Sequence, residues 1–584
     1  MPERSSSVPG TADVPGMAGD AAGPCTGRPL ARRLLGAGTT VLAVLVVVVV
    51  LVAPDRLVRY TPVAFLRIPV EGLVLVGLAL LLPARRVRVV AGTIGVAIGL
   101  LAIVRVLDVG FEEALNRSFN PITDWQLVGP GLVTLRDSVG SGWADTAVAG
   151  AVLVLLVVPV LVAMSAIRIC RAVARRRAVW GGAAGVLGAL WVVCALLGVQ
   201  VLSSAPLASS GAAQLAAQQV HDAVSNLRDL PAFRHELAAP DAWSRRPAAE
   251  LLTGLRGKDV LVVFVESYGK VAVQGSSFSP GVDAVLEDGT RSLRAAGYSS
   301  RSAFLTSPTF AGISWLAHAT LHSGLWVDSQ QRHDQLLSSD RFSLPAAFQR
   351  AGWRTVVDVP SNRDPWPEGR KYYHYDVDYD RHDVGYEGPS FSFAAMPDQY
   401  TLAAFQRLEL APGHKPVMAE LDLVSSHEPW TPLPHLVPWD QLGDGSVYDG
   451  MPAEGLAPAA VVGNAGKVQA LYGQSIQYSL SALTSFVTTF HRQDDDLVVV
   501  MLGDHQPASI VSGPGASHDV PITILARDPA VLQRTATWGW DDGMLPSPHA
   551  PVWRMDAFRD RFLTAFGPAP DGGQPAASAA AAPR

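Results

Sequence analysis

Two apolar runs in the second half of the chain end in ionisable side chains. In GKDVLVVFVESYGK the Val and Leu stop at Glu266, and in DLVVVMLGDHQP they stop at Asp504 and His505. A carboxylate at the end of a strand buried on both faces is unfavourable without a cation or a partner. Two carboxylates and an imidazole projecting from one sheet edge make an oxygen-rich site for a divalent metal, with room for a further ligand. The competing reading takes GDH as a polar strand-end turn and Glu266 as a helix cap.

The elements that must position these residues follow from periodicity. Short apolar runs (DVLVVFVE, WRTVVDV, PVMAELDLV, DLVVVMLGD, VPITILA) alternate with helix-like segments such as SLPAAFQRAG and QYSLSALTSFVTTFHRQ. That alternation predicts an α/β domain over about 256–566, with a mostly parallel central sheet, helices on both faces, and ligands at the carboxyl ends of the strands.

The rest of the chain is of another kind. At 584 residues it exceeds what one hydrophobic core supports. The excess behind its mean hydropathy of +0.22 and 49% hydrophobic residues lies in the first third. Five apolar stretches there, about 34–53, 61–82, 88–107, 146–167 and 180–203, are each long enough to cross a bilayer core of roughly 30 Å. Arg28, Arg32 and Arg33 precede the first, Arg85, Arg86 and Arg88 lie between the second and third, and Arg168, Arg171, Arg175, Arg176 and Arg177 lie between the fourth and fifth. Positive-inside counting makes these loops cytoplasmic, so 109–145 and everything after about 201 should be extracytoplasmic. A polar helical stretch within 205–255 reads as a linker. The N-terminal 1–33 and the tail 567–584 read as disordered. A net charge of -6 without a basic stripe sets nucleic acid aside as a partner. Cys25, Cys170 and Cys194 all precede the α/β domain, which excludes disulfides from it.

The order of motifs carries a resemblance: a strand ending in VES, a Thr-bearing turn (SPTFAG) leading into a helix, SHEPW, then GDHQP and SHDVPITI. It resembles the alkaline phosphatase and sulfatase superfamily, and with a membrane region in front it is similar to the lipoteichoic acid synthase and phosphoglycerol transferase branch. The resemblance implies one divalent ion, Mn or Mg favoured and Zn possible, held by Glu266, Asp504, His505 and a nucleophilic Thr309. It also implies phosphate gripping by Arg363 in SNRDPW, proton handling or phosphate binding by His427 in SHEPW, and a substrate contact by His518. Ser361 stands where the branch has an aromatic. Trp366, Tyr372 and Tyr373 could line a glycerol or sugar pocket. The implied reaction transfers a phosphoglycerol-type group from a membrane phospholipid to an envelope glycan or polymer through a phospho-threonine.

Ser314 competes with Thr309, since it falls where sulfatases carry the cysteine or serine that becomes formylglycine. With a helix starting near Phe310, Ser314 would lie more than a turn inside it, away from the helix's positive end. His318 reads as packing or as support for the site. A sulfatase or phosphodiesterase is the alternative enzyme, although SWLAH lacks the Pro and Arg of the sulfatase motif. Two-metal phosphatases carry more acids near the first strand than FVESYG offers. A catalytically inactive envelope-binding module is the alternative of another class, and a transporter fits less well because the spans lack intramembrane acids.

Overall fold

The computed structural model describes residues 27–54, 59–115, 117–202, 205–360, 366–461 and 464–568. Most of the stretches read as disordered at the two ends, together with Ser361 and Arg363, lie outside the described residues.

Nine strands form the sheet that carries the site: β1 (Asp259–Val265), β2 (Ser299–Thr306), β3 (Arg354–Asp358), β4 (Val377–Tyr379), β5 (Val417–Leu423), β6 (Leu497–Gly503), β7 (Asp519–Ala526), β8 (Asp541–Asp542) and β9 (Val552–Arg554). Their order is β8-β2-β7-β6-β1-β5-β3-β4, with β9 also paired to β2. The neighbours from β6 through β4 run parallel. Strand β7 is antiparallel to both β6 and β2. The sheet is therefore mixed, which corrects the expectation of a mostly parallel one on its β7 side. The cause is local: residues 504–518 between β6 and β7 hold only a one-turn helix, Ser509–Ser512, so no crossover forms and the chain folds back beside the strand it left.

Strands β1, β5 and β6 are buried at every position because helices cover both faces. On one face Leu261, Val263, Val499 and Met501 meet α7 (Ser279–Ala295) and α10 (Ala465–Phe490) through Val282, Leu286, Tyr472 and Ile476. On the other, Val260, Val262, Phe264, Val498 and Val500 meet α8 (Ser314–Ser323), α9 (Leu344–Ala351) and α11 (Phe558–Phe566) through Leu321, Phe348 and Phe562.

Ahead of the sheet, α1 (Gly27–Val52), α3 (Ala84–Leu115), α4 (Ser141–Arg175) and α5 (Arg177–Leu197) are the four helices, among the described residues, long and apolar enough to cross a membrane. They expose Leu and Val freely, as Leu153, Leu156 and Leu196 do, which suits hydrocarbon rather than water. Helices α3 and α4 touch backbone to backbone: a Cβ on Gly95 would lie 2.5 Å from Ala163 Cα, and one on Gly99 2.5 Å from Pro159 Cα.

The expected span at 61–82 is not one long helix. It is a 3-10 turn (Pro62–Phe65), an extended pair (Ile68–Pro69) and the 12-residue α2 (Val70–Leu81), about 18 Å long. Pro62 and Pro69 break the helix where hydropathy alone saw continuity. The freed backbone is satisfied otherwise, since Arg67 donates to Val52 O and Ala64 O, and Ile68–Pro69 pairs with Ala208–Ser209.

Helix α6 (Gly211–Ala238) joins the two regions. Arg105 Nη2 on α3 donates to Gly211 O at 2.8 Å, and Phe233 is buried against the α/β domain in a cluster that includes Leu316.

At the sheet's centre Gly503 has no room for a side chain, because a Cβ there would sit 1.9 Å from Tyr268 O. Gly503→Ala should lower the stability of the α/β domain by about 3 kcal/mol, read as a fall in its chemical-unfolding midpoint. An unchanged midpoint would show that the β1 and β6 turns can separate freely.

Candidate functional site

Glu266 leaves β1 with its N–H on Leu423 O at 3.0 Å, and Ser426 Oγ donates to Glu266 O at 2.6 Å, so the end of β5 fixes its backbone. Asp504 leaves β6 and is locked from below: Oδ1 accepts from Ser267 N and from His505 N, both at 2.7 Å. Its other oxygen, Oδ2, is buried and has no hydrogen-bond partner among the described residues. His505 Nδ1 donates to Gln506 O at 2.9 Å, which leaves Nε2 as the free lone pair aimed at the two carboxylates.

The next chain segment supplies a hydroxyl. From Ser307 to Ile313 the turn is laced to 504–506, with Ser307 Oγ on Asp504 O at 2.6 Å and Ala311 N on Gln506 O at 2.8 Å. Ala311, Gly312 and Ile313 all have positive φ (58°, 146° and 63°), which forces a sharp elbow, and a β-branched residue adopts such a conformation only under constraint. Helix α8 therefore begins at Ser314, not near Phe310. Ser314 Oγ donates to Glu266 Oε2 at 3.0 Å and lies 3.2 Å from His505 Nε2.

Of the residues expected to bind a metal, the structure brings Glu266, Asp504 and His505 together. Thr309 Oγ1 instead donates to Gly312 O inside the elbow, and the place beside the cluster is taken by Ser314. The argument that put Ser314 inside a helix is thus corrected by the strained turn, whose positive-φ residues delay the helix start.

The cluster passes a geometric test for a cation. A tetrahedral site with ligand distances near 2.0–2.2 Å has ligand atoms about 3.3–3.6 Å apart. Here His505 Nε2 is 3.2 Å from Glu266 Oε1 and 3.5 Å from Asp504 Oδ2, and the orphaned Asp504 oxygen points into the same group. Without a cation, protons must do its work. Burial and the adjacent Glu266 raise the Asp504 carboxyl. Burial opposes charging of His505, but Asp504 and Glu266 outweigh it and hold the imidazole up at about 9. Burial likewise opposes the Glu266 anion, yet His505 beside it keeps that carboxyl below its ordinary range.

His427 follows β5 on the same edge, half-buried, with Nδ1 donating to Glu428 O at 2.6 Å and its ring stacked 3.5 Å from Phe393. His518 is tied in through its backbone, Ser307 N donating to His518 O at 2.9 Å, and its ring lies 5.3 Å from Phe310; burial lowers its pKa. Tyr372 and Tyr373 are buried in the cluster around Phe233 and Leu316, with Trp366 packed on it, so they are core and not a sugar pocket. Sequence reasoning missed Glu420 and Asp422 on β5. The signal was available, as two acids at alternate positions of PVMAELDLV share one face of a buried strand.

Residues 258–534 match the family model described as Sulfatase, in keeping with the resemblance that the order of motifs carries. No curated protein matches the chain. Solved structures similar to it include the lipoteichoic acid synthase LtaP from Listeria monocytogenes, at 15% identity over 55% of this chain and 74% of that one, TM-score 0.37. The lipooligosaccharide phosphoethanolamine transferase EptA from Neisseria meningitidis is 15% identical over 86% and 87%, TM-score 0.41. The phosphoglycerol transferase GacH from Streptococcus pyogenes, solved with sn-glycerol-1-phosphate, is 11% identical over 59% and 91%, TM-score 0.34.

Because Asp504 and Glu266 favour the protonated imidazole of His505 when no cation is present, loading the site should release a proton. Divalent-metal affinity should therefore rise at least about tenfold per pH unit between pH 6 and 8, most steeply in the lower half where Asp504 also carries a proton, and calorimetry in buffers of different ionisation enthalpy should show the released protons. Asp504→Asn should lose the ion. A pH-independent affinity would contradict this arrangement of ligands.

Proposed function

We propose that the protein is a membrane-anchored, metal-dependent phosphotransferase that moves a phosphoglycerol-type group from a lipid to an acceptor hydroxyl of the cell envelope, with Ser314 as nucleophile. The observation that carries this reading is the position of Ser314 Oγ, 3.0 Å from Glu266 Oε2 and 3.2 Å from His505 Nε2, at the first residue of α8. A divalent ion held by Glu266, Asp504 and His505 would lower the hydroxyl pKa and neutralise phosphoryl charge.

Ser314 Oγ attacks phosphorus as its proton leaves toward Glu266 Oε2, and the bond from phosphorus to the lipid alcohol breaks. The positive end of α8 faces the phosphoryl oxygens. His427, flanking Glu266, hands a proton to the departing alkoxide. A second hydroxyl then attacks the phosphoserine from the same open side. Arg363 is assigned to the phosphate oxygens, on its motif alone.

A lipid donor is supported by where the elbow sits. A Cβ on Gly312 would be 3.7 Å from Leu115 Cδ2 at the end of α3, so the nucleophile's turn abuts the membrane region. EptA and GacH are named as transferases of phosphoethanolamine and phosphoglycerol, and LtaP as a synthase. A phosphoric or sulfuric ester hydrolase is the second reading. It is favoured by Ser314 standing where sulfatases carry their modified residue.

We infer further that the α/β domain is extracytoplasmic. Arg168 Nη2 reaches Gly36 O at 2.8 Å and Arg177 Nη2 reaches Leu82 O at 3.0 Å, so the arginine-rich turns gather at one end of the bundle. The catalytic domain joins at the other end, through Arg105 and Gly211. A reporter enzyme fused to the C-terminus should be active only outside the cytoplasm, and cytoplasmic activity would reverse the orientation.

The reaction is tested with full-length protein in detergent and a fluorescent phosphatidylglycerol. Wild type should release diacylglycerol and carry a phosphoglycerol adduct on Ser314. Ser314→Ala should lose activity by a factor on the order of 10³ or more, and Thr309→Ala should retain most of it. An adduct mapped to Thr309, or full activity in Ser314→Ala, would overturn the assignment.

A further inference from the structure

Strand β5 brings to the same sheet edge two acids that this reaction does not use. Glu420 and Asp422 lie at alternate positions and so project to one face of a strand buried along its whole length. Glu420 is fully engaged. Its Oε1 is 2.8 Å from His318 Nδ1, and its Oε2 is 2.7 Å from His322 Nε2 and also accepts from the Tyr375 hydroxyl. Asp422 is only 9% exposed, and its Oδ1 is buried without any hydrogen-bond partner among the described residues. That oxygen faces His318 Nδ1 at 3.9 Å, too far for a hydrogen bond.

A buried carboxylate oxygen without a donor is costly, and this one has acids as neighbours. Asp422 pairs with Phe264 across β1 and β5, two residues before Glu266, and the next residue, Leu423, accepts from Glu266 N. The imidazole of His318 cannot serve both acids, since its one near nitrogen already points at Glu420. One ligand atom each from His318, Glu420 and Asp422 nevertheless converge within 4.8 Å of one another.

The supporting contacts are those that orient metal ligands. His318 is stacked on Phe264 with ring centroids 3.7 Å apart, which sets its plane. His322 and Tyr375 hold the far oxygen of Glu420 and turn the near one toward His318.

We propose that His318, Glu420 and Asp422 hold a second divalent cation, so that the centre is binuclear. His318 follows Ser314 by four residues on α8, so the two groups of ligands are served by neighbouring turns of the same helix. One nitrogen and two carboxylate oxygens suit Mn or Zn. From there a second positive charge faces the phosphoryl group from the β5 side, where His427 also stands, and serves the oxygen that enters or leaves on that side. The proposal rests on the reading of Glu266, Asp504 and His505 as the first site.

The test uses full-length protein in detergent, stripped with EDTA, equilibrated with excess Mn(II), desalted, and measured by elemental analysis and electron paramagnetic resonance. The expected result is two equivalents with a spin-coupled signal in wild type, and one equivalent with an uncoupled signal in Asp422→Asn, in His318→Gln and in Asp504→Asn. The wild-type measurement decides the matter even where a variant fails to fold. One equivalent in wild type, absent from Asp504→Asn, would overturn the second site and leave the first intact. One equivalent that survives Asp504→Asn and vanishes in Asp422→Asn would support the second site and refute the first. No metal in wild type, or two equivalents retained in Asp422→Asn, would overturn the proposal.

Discussion

The structure is organised around carboxylates that cannot be left alone. Glu266 and Asp504 sit at the ends of adjacent strands that are buried on both faces, where an unpaired charge is costly. Their backbones are pinned before their side chains meet: Ser267 N donates to Asp504, Tyr472 Oη donates to Ser267 O, and Ser426 Oγ donates to Glu266 O. Gly503 lets the two turns close on each other without a side chain between them. What remains unpaired among the described residues, the second oxygen of Asp504, faces His505 Nε2, so a cation would complete a group whose protein half is already in place.

The elbow before α8 answers the same constraint. Three successive residues in positive-φ conformations cost on the order of 1–3 kcal/mol for each that is not glycine. The contacts of Ser307 and Ala311 with residues 504–506 offset that strain. In return, the first residue of a helix, with the helix's positive end behind it, is delivered to the carboxylates. Thr309 holds the elbow closed from inside through Gly312 O, a structural role for the residue that motif order alone had marked as the nucleophile.

The membrane region is built into this site and is not a mere tether. Helix α6 packs Phe233 beside Leu316 of α8, Arg332 pairs with Asp229 of α6 at 2.8 Å, and Gln219 Nε2 reaches Phe119 O at 3.3 Å. The elbow before Ser314 therefore lies against the end of α3, with Gly312 beside Leu115. That arrangement suits a donor that arrives laterally, from lipid.

Much of this was legible from residue order. Apolar runs that stop at an acid identify the strand ends whatever the topology, because burying carboxylates there needs a reason, and so Glu266, Asp504 and His505 could be named from FVES and GDH alone. Largely apolar helices of 21 to 35 residues announce themselves by length, whereas the break at Pro62 and Pro69 is visible only when the backbone's hydrogen bonds are traced. The reversal of β7 depends on a short return that periodicity does not encode. Which hydroxyl meets the cluster was decided by three backbone dihedrals, and neither composition nor spacing reports a φ angle. The group of His318, Glu420 and Asp422 spans about a hundred residues of chain; the pleat of β5 put its acids on one face, but only the packing of α8 across β1 and β5 brought the histidine to them.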